Sequence, residues 1–487
     1  MGAMDALNSD ILLLVGDYLD SHNDRYNATF VNRRFNGLFP RSLYRSAALK
    51  NRSQVQSFLK AILLRPDLAG VVRSLDFSDW QFQQGHDLTE PELSLFIAWA
   101  AAIAHSEAES SQWEKDLRSG VDEAWLALLL SSVHNVRQLK LVYPSLPTEP
   151  RGYPYLDRVF ERATARQKPF DASPGFHRLG EVSLRQVTGP DDDQGTFSPS
   201  QVMPFLQMPL LQTLAVDSLI EYRPDADSEE QAGDETAEQK PEKEDSKEDS
   251  KKDSKEDSNV RSYVSEITLT ASNGARGMDE LIAFCPSLKS LKYQHSDARL
   301  LADGFQPSAF NQSLSRNKNT LETIWLDNLG EHLPFTINGL NESHDEWFGS
   351  FADFTVLKDL RIRLPNLLDV QYQMEPSLPL TEVLPSSIES LYIEGCKEHS
   401  LSMLTRQVKA VLEARKTRFK ALQCLHIEGV FHDDDEDADT SGDGGGTGGG
   451  RVIKPRVYEM VEPLQEDCAA AGVQLFLRDR MCLQTMD

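Results

Sequence analysis

The sequence predicts an α/β fold: a short helical module at the N-terminus, followed by a solenoid with a parallel sheet. Two observations predict the solenoid. A hexamer with the pattern apolar-x-x-apolar-x-apolar recurs about ten times, and stretches with helical spacing precede many of its copies. Each unit has one apolar strand face and one apolar helix face, and both faces are buried only when the units stack side by side.

The first helix of the module is predicted from one apolar face. Its apolar residues recur at helical spacing and are Leu7, Ile11, Leu12, Val15 and Leu19. Ser9 is expected to cap this helix, with Asp10 in its first turn. Such a face needs a partner to cover it.

Two shorter helices are predicted to complete the module. The second follows Asp20 and Ser21. The third carries the apolar residues Val31, Phe35 and Leu38. Pro40 is expected to close the unit.

The first fifty residues resemble an F-box, the motif that binds a Skp-type adaptor in cullin-based ubiquitin ligases. The positions that match the family pattern are Leu7, Ile11, Leu12, Val15, Tyr18, Leu19, Val31, Arg33, Arg34 and Phe35. The sequence departs from the pattern at Asn8, at Asp10 and at 25–27. The resemblance implies an adaptor-binding surface made of Leu7, Ile11, Leu12, Val15, Leu19, Val31 and Phe35. The alternative is an ordinary pair of amphipathic helices that opens a globular domain.

Composition limits the classes of partner. The 487 residues carry 50 Lys and Arg against 76 Asp and Glu, a formal net charge of −26, so the chain as a whole repels nucleic acid and anionic membrane. The five cysteines are odd in number and contain no C-x-x-C pair, which fits a reducing compartment. The N-terminus has neither a basic start nor a long apolar run, so a cytoplasmic or nuclear location is expected, with no membrane insertion.

The recurring hexamers predict the strands of the solenoid. They start at residues 72, 136, 179, 211, 264, 288, 321, 357, 388 and 422, and GVQLFL near the C-terminus is expected to be the last strand. This array resembles leucine-rich repeats, and Ile388, Leu391, Ile393 and Cys396 follow the family's spacing. The starts lie roughly 24 to 64 residues apart, which predicts irregular curvature. A doubly wound α/β domain is the alternative, but no phosphate-binding glycine motif follows any strand.

Two segments of low complexity interrupt the array. Residues 224–259 are almost wholly charged or small and are expected to be disordered, and residues 432–450 form an acidic and then Gly-rich spacer without the pattern of a calcium loop. Ser246, Ser250 and Ser254 each precede an Asp by three residues, so they are either sites for an acid-directed kinase or part of a passive loop. The predicted divisions are the module at 1–50, solenoid parts at 51–223 and 260–430, the insertion at 224–259, a flexible loop at 431–452 and a capping helix and strand at 453–487.

No motif for catalysis, for a cofactor or for a structural metal occurs in the sequence. Enzymatic activity, cofactor binding and metal binding are therefore not expected, and binding is sought on the solenoid. In an apolar-x-apolar strand the middle residue points away from the helices, onto the face that such arrays use for binding. These middle positions are Asp76, Lys140, Ser183, Ala215, Thr268, Lys292, Trp325, Arg361, Tyr392 and His426.

The C-terminal half of this set is the predicted client-binding surface. Trp, Tyr and Arg carry most binding hot spots, and they fall on successive repeats here. The predicted client contacts are Lys292, Trp325, Arg361, Arg363, Tyr392 and His426. Their cations suggest an acidic or phosphorylated client segment; a solvated strand face covered by the protein's own loop is the alternative.

Together the two resemblances imply a substrate-recognition subunit of an SCF-type ubiquitin ligase. The module would dock a Skp-type adaptor and through it a cullin, and the repeats would hold a client protein. The alternative is a non-catalytic scaffold that assembles a complex without ubiquitination.

Overall fold

The computed structural model describes the N-terminal module and the repeat array with the exception of several connecting segments. The described residues are 7–19, 21–81, 88–144, 155–187, 195–221, 261–296, 305–328, 346–370, 375–432 and 452–479. The segment 224–259 with its three serines, most of the spacer 432–450 and Cys482 lie outside the described residues.

Four short helices form the N-terminal module. They are α1 (Ser9–Asp17), α2 (His22–Ala28), α3 (Arg33–Leu38) and α4 (Pro40–Leu43). Leu12, Phe35 and Phe39 form a small core of their own between these helices. The Phe35 and Phe39 rings lie 5.0 Å apart, centroid to centroid.

Two details of the module differ from the sequence-based expectation. The cap of α1 is Asn8, whose side chain accepts a hydrogen bond from the Asp10 backbone N–H at 3.3 Å, so the expected cap Ser9 is the first helical residue. Pro40 does not close the module. It begins α4, where its missing N–H costs nothing because first-turn N–H groups lack an intrahelical partner.

Thirteen strands form one parallel sheet among the described residues, and their order in the sheet follows the chain, except that β6 pairs only with β7. The strands are β1 (Ser46–Ala48), β2 (Ser74–Asp76), β3 (Gln138–Tyr143), β4 (Glu181–Gln186), β5 (Thr213–Asp217), β6 (Ile220–Glu221), β7 (Glu266–Gly274), β8 (Ser290–His295), β9 (Thr323–Asn328), β10 (Asp359–Arg363), β11 (Ser390–Lys397), β12 (Cys424–Val430) and β13 (Gln474–Asp479).

All ten hexamers are strands, and each strand begins at the third residue of its hexamer. GVQLFL contributes the final strand β13, as predicted. The strand order never reverses, which excludes the doubly wound alternative because that fold requires a switch point in the strand order. Sequence reasoning did not find β1 and β6, which have three and two residues. Since β1 starts at Ser46, the sheet begins inside the predicted boundary of the module.

Helices connect most of the strands, and many of them pack against the helix that precedes or follows them in the chain. They are α5 (Arg52–Leu64), α6 (Pro66–Ala69), α7 (Glu90–Ile103), α8 (Glu107–Ser119), α9 (Asp122–Leu130), α10 (Leu156–Thr164), α11 (Pro199–Leu206), α12 (Asp279–Phe284), α13 (Pro307–Leu314), α14 (Leu364–Leu367), α15 (Leu380–Val383), α16 (Leu401–Glu413) and α17 (Pro455–Ala471). None of the described helices is both long and apolar enough to cross a membrane.

A single hydrophobic core runs the length of the array, from Ala47 to Val473. It is continuous across the acidic insertion because β5 pairs directly with β7. Along the first residues of most strands, buried residues alternate with partly exposed ones, and β8 keeps this pattern from Ser290 to His295. The buried residues face the core and the others form an accessible row on the sheet.

At the C-terminus, the expected capping helix and strand are present as α17 and β13. Gly472 ends α17 with a φ of +68°, a left-handed conformation that favours glycine. β13 pairs with β12 alone and is therefore the last strand of the sheet.

Candidate interaction surfaces

The middle residues of the strands form one continuous row across the sheet. Each is the register partner of the next: Ala48, Asp76, Lys140, Ser183, Ala215, Thr268, Lys292, Trp325, Arg361, Tyr392, His426 and Phe476. The structure therefore brings together the predicted client contacts, apart from Arg363. The row continues to Phe476 on β13. The sequence predicts this strand, but Phe476 is not among the predicted middle positions.

The last six members of this row stack on one another, and we call them the aromatic strip: Lys292, Trp325, Arg361, Tyr392, His426 and Phe476. The Lys292 ammonium lies 3.9 Å from the centre of the Trp325 ring, and the Arg361 guanidinium lies 4.6 Å from the centre of the Tyr392 ring. The His426 ring stacks between Tyr392 and Phe476, with centroid distances of 4.9 and 4.6 Å. These are the separations at which cation–π and aromatic pairs attract.

The charge of Arg361 is compensated within the protein. Its guanidinium forms an ion pair with the buried Glu394 carboxyl group and lies 3.6 Å from Asp327. Burial, followed by the Asp327 charge, raises the pKa of Glu394 to about 8, against the opposing effect of Arg361. Asp327 and Glu394 thus both lie against the Arg361 guanidinium, from the strands on either side of β10.

The other polar members of the strip also have partners or lack charge. The Tyr392 hydroxyl donates a hydrogen bond to the buried Glu428, and the Trp325 ring N–H donates to Asp359 at 2.9 Å. Burial, followed by the nearby Arg478 charge, lowers the pKa of His426, so this ring is neutral at physiological pH. The strip thus combines stacked aromatic faces with the Lys292 ammonium, and the charge of Arg361 is compensated by its neighbours.

Arg363, a predicted client contact, is only 7 % exposed. The short helix α14 starts at the next residue and packs on β10 and β11, which encloses the end of β10. Arg363 is the register partner of the buried Glu394. It therefore belongs to the interior of the repeat array and not to its accessible row.

The structure divides the seven predicted adaptor contacts into two sets. Ile11, Val15 and Val31 are exposed, by 47 %, 37 % and 64 % respectively. Leu12 and Phe35 are buried in the module's own core, and Leu7 and Leu19 pack partly against that core. In this conformation Leu12 and Phe35 hold the helices together and cannot contact a partner.

A stripe of exposed apolar side chains follows one side of α1. Its members are Ile11, Leu14, Val15 and Tyr18, and the last is 82 % exposed. Leu12 and Gly16 face inward, and Gly16 allows the Phe39 ring to approach: a Cβ atom at Gly16 would lie 2.9 Å from Phe39 Cε1. Leu14 and Tyr18 were not among the predicted contacts, although the i, i+3, i+4, i+7 spacing of this stripe was visible in the sequence.

A second exposed apolar group lies on α2 and just after it. Tyr26 and Phe30 are 49 % and 66 % exposed, and their rings are 4.8 Å apart, edge to face. Val31 follows directly. Arg25, at a departure from the F-box pattern, donates a hydrogen bond to the Leu19 carbonyl at 2.7 Å and so links α2 to the end of α1.

Among the described residues, no group of three or more His, Cys, Asp or Glu side chains is arranged to hold a metal ion. Burial raises the pKa of the Cys285 and Cys468 thiols to about 11, so both are protonated at neutral pH.

Comparison with known protein families agrees with the geometry of the sheet. Residues 249–439 match the family model described as a leucine-rich repeat domain, a range that contains β7 to β12. The match does not reach the N-terminal module, for which the F-box resemblance stays a prediction. Among curated proteins, none matches the chain. The C-terminal half of the array is therefore a leucine-rich repeat domain with a long parallel sheet, a type of surface suited to protein–protein interaction.

Proposed function

We propose that this chain is a substrate-recognition subunit of an SCF-type ubiquitin ligase. The N-terminal module binds a Skp-type adaptor and through it a cullin, and the aromatic strip of the repeat array holds a client protein. The single observation that carries the proposal is the exposed apolar stripe on α1, on a module that already has its own core.

The stripe supports a docking role because its exposure has no structural benefit for the isolated chain. Ile11, Leu14, Val15 and Tyr18 point away from the core that Leu12 forms with Phe35 and Phe39. Contiguous apolar surface that is left in water marks interaction sites, and an apolar helix face fits a groove on a partner. Together with the F-box resemblance, this makes a Skp-type adaptor the partner we expect.

The aromatic strip supports a client-holding role. Trp, Tyr and Arg dominate binding hot spots, and here they are fixed in place by stacking and by hydrogen bonds to Asp359 and Glu428. A surface that is rigid before binding loses little entropy when a client docks. Because Arg361 is compensated by Asp327 and Glu394, we expect the strip to contact apolar or aromatic client residues.

In this function the chain performs no chemistry. It holds the client close to an enzyme that is bound elsewhere in the complex, and the rate gain comes from proximity. The cytoplasm and the nucleus, where ubiquitin ligases of this class act, are the compartments we propose.

Adaptor binding tests the docking half of the proposal. A variant with Ile11→Glu and Val15→Glu should lose the Skp-type adaptor in co-purification, because two charges would replace apolar contacts. Leu64 and Leu210 are exposed by 62 % and 56 % on the repeat array, so Leu64→Glu with Leu210→Glu is a matched control that should keep the adaptor. A wild-type chain that ignores the adaptor would falsify the docking proposal.

Client capture tests the second half. Affinity capture with mass spectrometry should lose specific proteins when Trp325 and Phe476 are both changed to Ala. These two residues are chosen because replacing Arg361 or Tyr392 would also leave buried carboxyl groups without their partners. A control with Lys140→Ala and Thr268→Ala, in the same row but outside the strip, should keep the captured proteins.

The rival function, a scaffold that assembles a complex without ubiquitination, predicts the same adaptor and client binding. The two differ in the fate of the client. Deletion of the gene should raise the level of a captured client if the chain is a ligase receptor, and unchanged levels would favour the scaffold.

A further inference from the structure

A row of arginines lies at the start of the first strands of the sheet. The Arg73 backbone N–H donates to the Arg45 carbonyl at 2.8 Å, the Arg137 N–H donates to the Arg73 carbonyl at 2.7 Å, and the Gly180 N–H donates to the Arg137 carbonyl at 2.8 Å. Three arginines therefore follow one another across three adjacent strand starts, and Arg178 precedes Gly180 by two residues. We call these four residues the arginine rim.

The same edge of the sheet is built differently in its C-terminal half. There the strand-start residues are Lys289, Glu322, Lys358 and Glu389, in alternating charge. Glu322 lies 2.7 Å from the Lys358 ammonium and 4.0 Å from the Lys289 ammonium, so the charges cancel locally. The arginine rim has no such alternation, although the chain as a whole carries a net charge of −26.

Two of the four rim guanidinium groups are free to bind. Arg45 pairs with Asp17 of the module at 2.9 Å, and Arg73 donates to the Gly70 and Val72 carbonyls at 2.9 Å. Arg137 and Arg178 are exposed, and among the described residues neither lies within salt-bridge distance of a carboxylate. Burial, and then the charges of Arg137, Arg178 and Arg45, lower the pKa of Arg73, which is the effect expected of like charges held close together.

We propose that the arginine rim, formed by Arg45, Arg73, Arg137 and Arg178, binds a short acidic segment of a partner protein. Neighbouring strands are about 4.8 Å apart, so the three strand starts span about 10 Å, which an extended segment of four or five residues covers. The guanidinium fork matches the carboxylate geometry of such a segment.

A protein segment fits this rim better than the long polyanions do. A nucleic acid or a membrane surface would extend beyond the rim and meet the excess of carboxylates on the rest of the chain. A segment of a few acidic residues meets only the rim. The inference rests on the proposed function in taking the partner to be a protein client, but its site is separate from both the aromatic strip and the α1 stripe.

Fluorescence anisotropy with the full chain tests this inference. The probe is a fluorescein-labelled octapeptide of alternating Asp and Glu, and the comparison peptide has Asn and Gln in their place. The acidic peptide should bind and the neutral one should not, and raised salt should weaken the binding because the contacts are exposed. A variant with Arg73→Glu and Arg137→Glu should bind the acidic peptide at least about tenfold more weakly.

A charge-matched control separates the rim from the net charge. Lys416 and Lys420 are exposed and lie far along the chain, so Lys416→Glu with Lys420→Glu changes the net charge by the same amount and should leave peptide affinity unchanged. An Arg137→Lys variant, which keeps the charge, should retain most of the binding. Circular dichroism and the thermal midpoint establish that each variant is folded.

Three outcomes would overturn the inference. One is unchanged binding to the rim variant, and another is equal loss in the rim and control variants. The third is tighter binding of a single-stranded RNA oligonucleotide, or of phosphatidylserine vesicles, than of the peptide. The Trp325→Ala, Phe476→Ala variant should bind the peptide normally, so a failed adaptor or client experiment leaves this test intact.

Discussion

The packing of the N-terminal module can be tested with two glycines that occupy opposite environments in its helices. Gly16 is buried in α1 and faces Phe39, whereas a Cβ atom at Gly37 in α3 would meet nothing within 4 Å. Replacing a helical glycine by alanine stabilises a helix by about 0.5–1 kcal/mol when there is space for the methyl group. Gly37→Ala should therefore stabilise the module by up to this amount.

Gly16→Ala should have the opposite effect. The new methyl group would lie 2.9 and 3.0 Å from two ring atoms of Phe39 and 3.2 Å from Ser42 Oγ. The Phe39 ring is 2 % exposed and packs against Phe35, so it cannot move aside freely. Overpacking of this kind costs about 1–3 kcal/mol, which exceeds the helical gain. We expect a net loss of about 1 kcal/mol and a difference of about 1–3 kcal/mol between the two variants.

Amide hydrogen exchange of the full chain measures this difference, since it reports the free energy of local opening in the module separately from the repeat array. Peptides that cover α1 and α3 should exchange faster in Gly16→Ala and slower in Gly37→Ala. If both variants slowed exchange to the same extent, Gly16 would not be in contact with Phe39, and the packing described for the module would be refuted.

Three further predictions concern the interior of the protein. The free energy of unfolding of Glu394→Gln should rise relative to that of the wild type by about 2–4 kcal/mol as pH rises from about 4.5 to about 8, because the raised pKa makes ionisation of Glu394 costly in the folded state. Urea unfolding of both proteins at pH 5 and pH 8.5 measures this, and a difference between them that is the same at both pH values would contradict the prediction. Asp122→Ala should cost about 3–5 kcal/mol in urea unfolding, since it leaves the buried Arg52 without its 2.9 Å ion-pair partner, and a loss below about 1 kcal/mol would show that Arg52 reaches water. Leu12→Ala should lower the free energy of local opening of the module, measured by hydrogen exchange, by about 2–5 kcal/mol. Leu14→Ala, at an exposed site, should lower it by less than about 1 kcal/mol. Equal losses would mean that α1 turns a different face to the core.

The repeat array was predictable because its signal is local. Successive residues of a strand such as Ser290–His295 alternate between surface and core, and the apolar residues of the hexamer occupy the core positions. This pattern alone indicates a strand with one buried face. β1 lacked such a pattern, since Ser46–Ala48 has only small residues, and its place in the sheet depends on pairing with β2. Short strands of this kind are fixed by tertiary contacts that a sequence pattern does not contain.

The candidate sites were predictable only in part, since they depend on which residues meet across strands and helices. The sequence indicates that Arg361 is on the accessible row, but its charge balance depends on Asp327 and Glu394, which lie on neighbouring strands. The division of α1 into two faces likewise depends on Phe39, which approaches Gly16 from another helix. The arginine rim becomes visible only when the strand starts are aligned by their hydrogen bonds.

The central proposal, that the N-terminal module docks a Skp-type adaptor through the exposed side of α1, is tested most directly by calorimetric titration of the full chain with that adaptor. We predict saturable binding to the wild-type chain, with a negative heat-capacity change because apolar surface is buried. Binding should be lost in the Ile11→Glu, Val15→Glu variant and retained in the Leu64→Glu, Leu210→Glu control. Equal affinity of the adaptor for both variants would contradict the proposal.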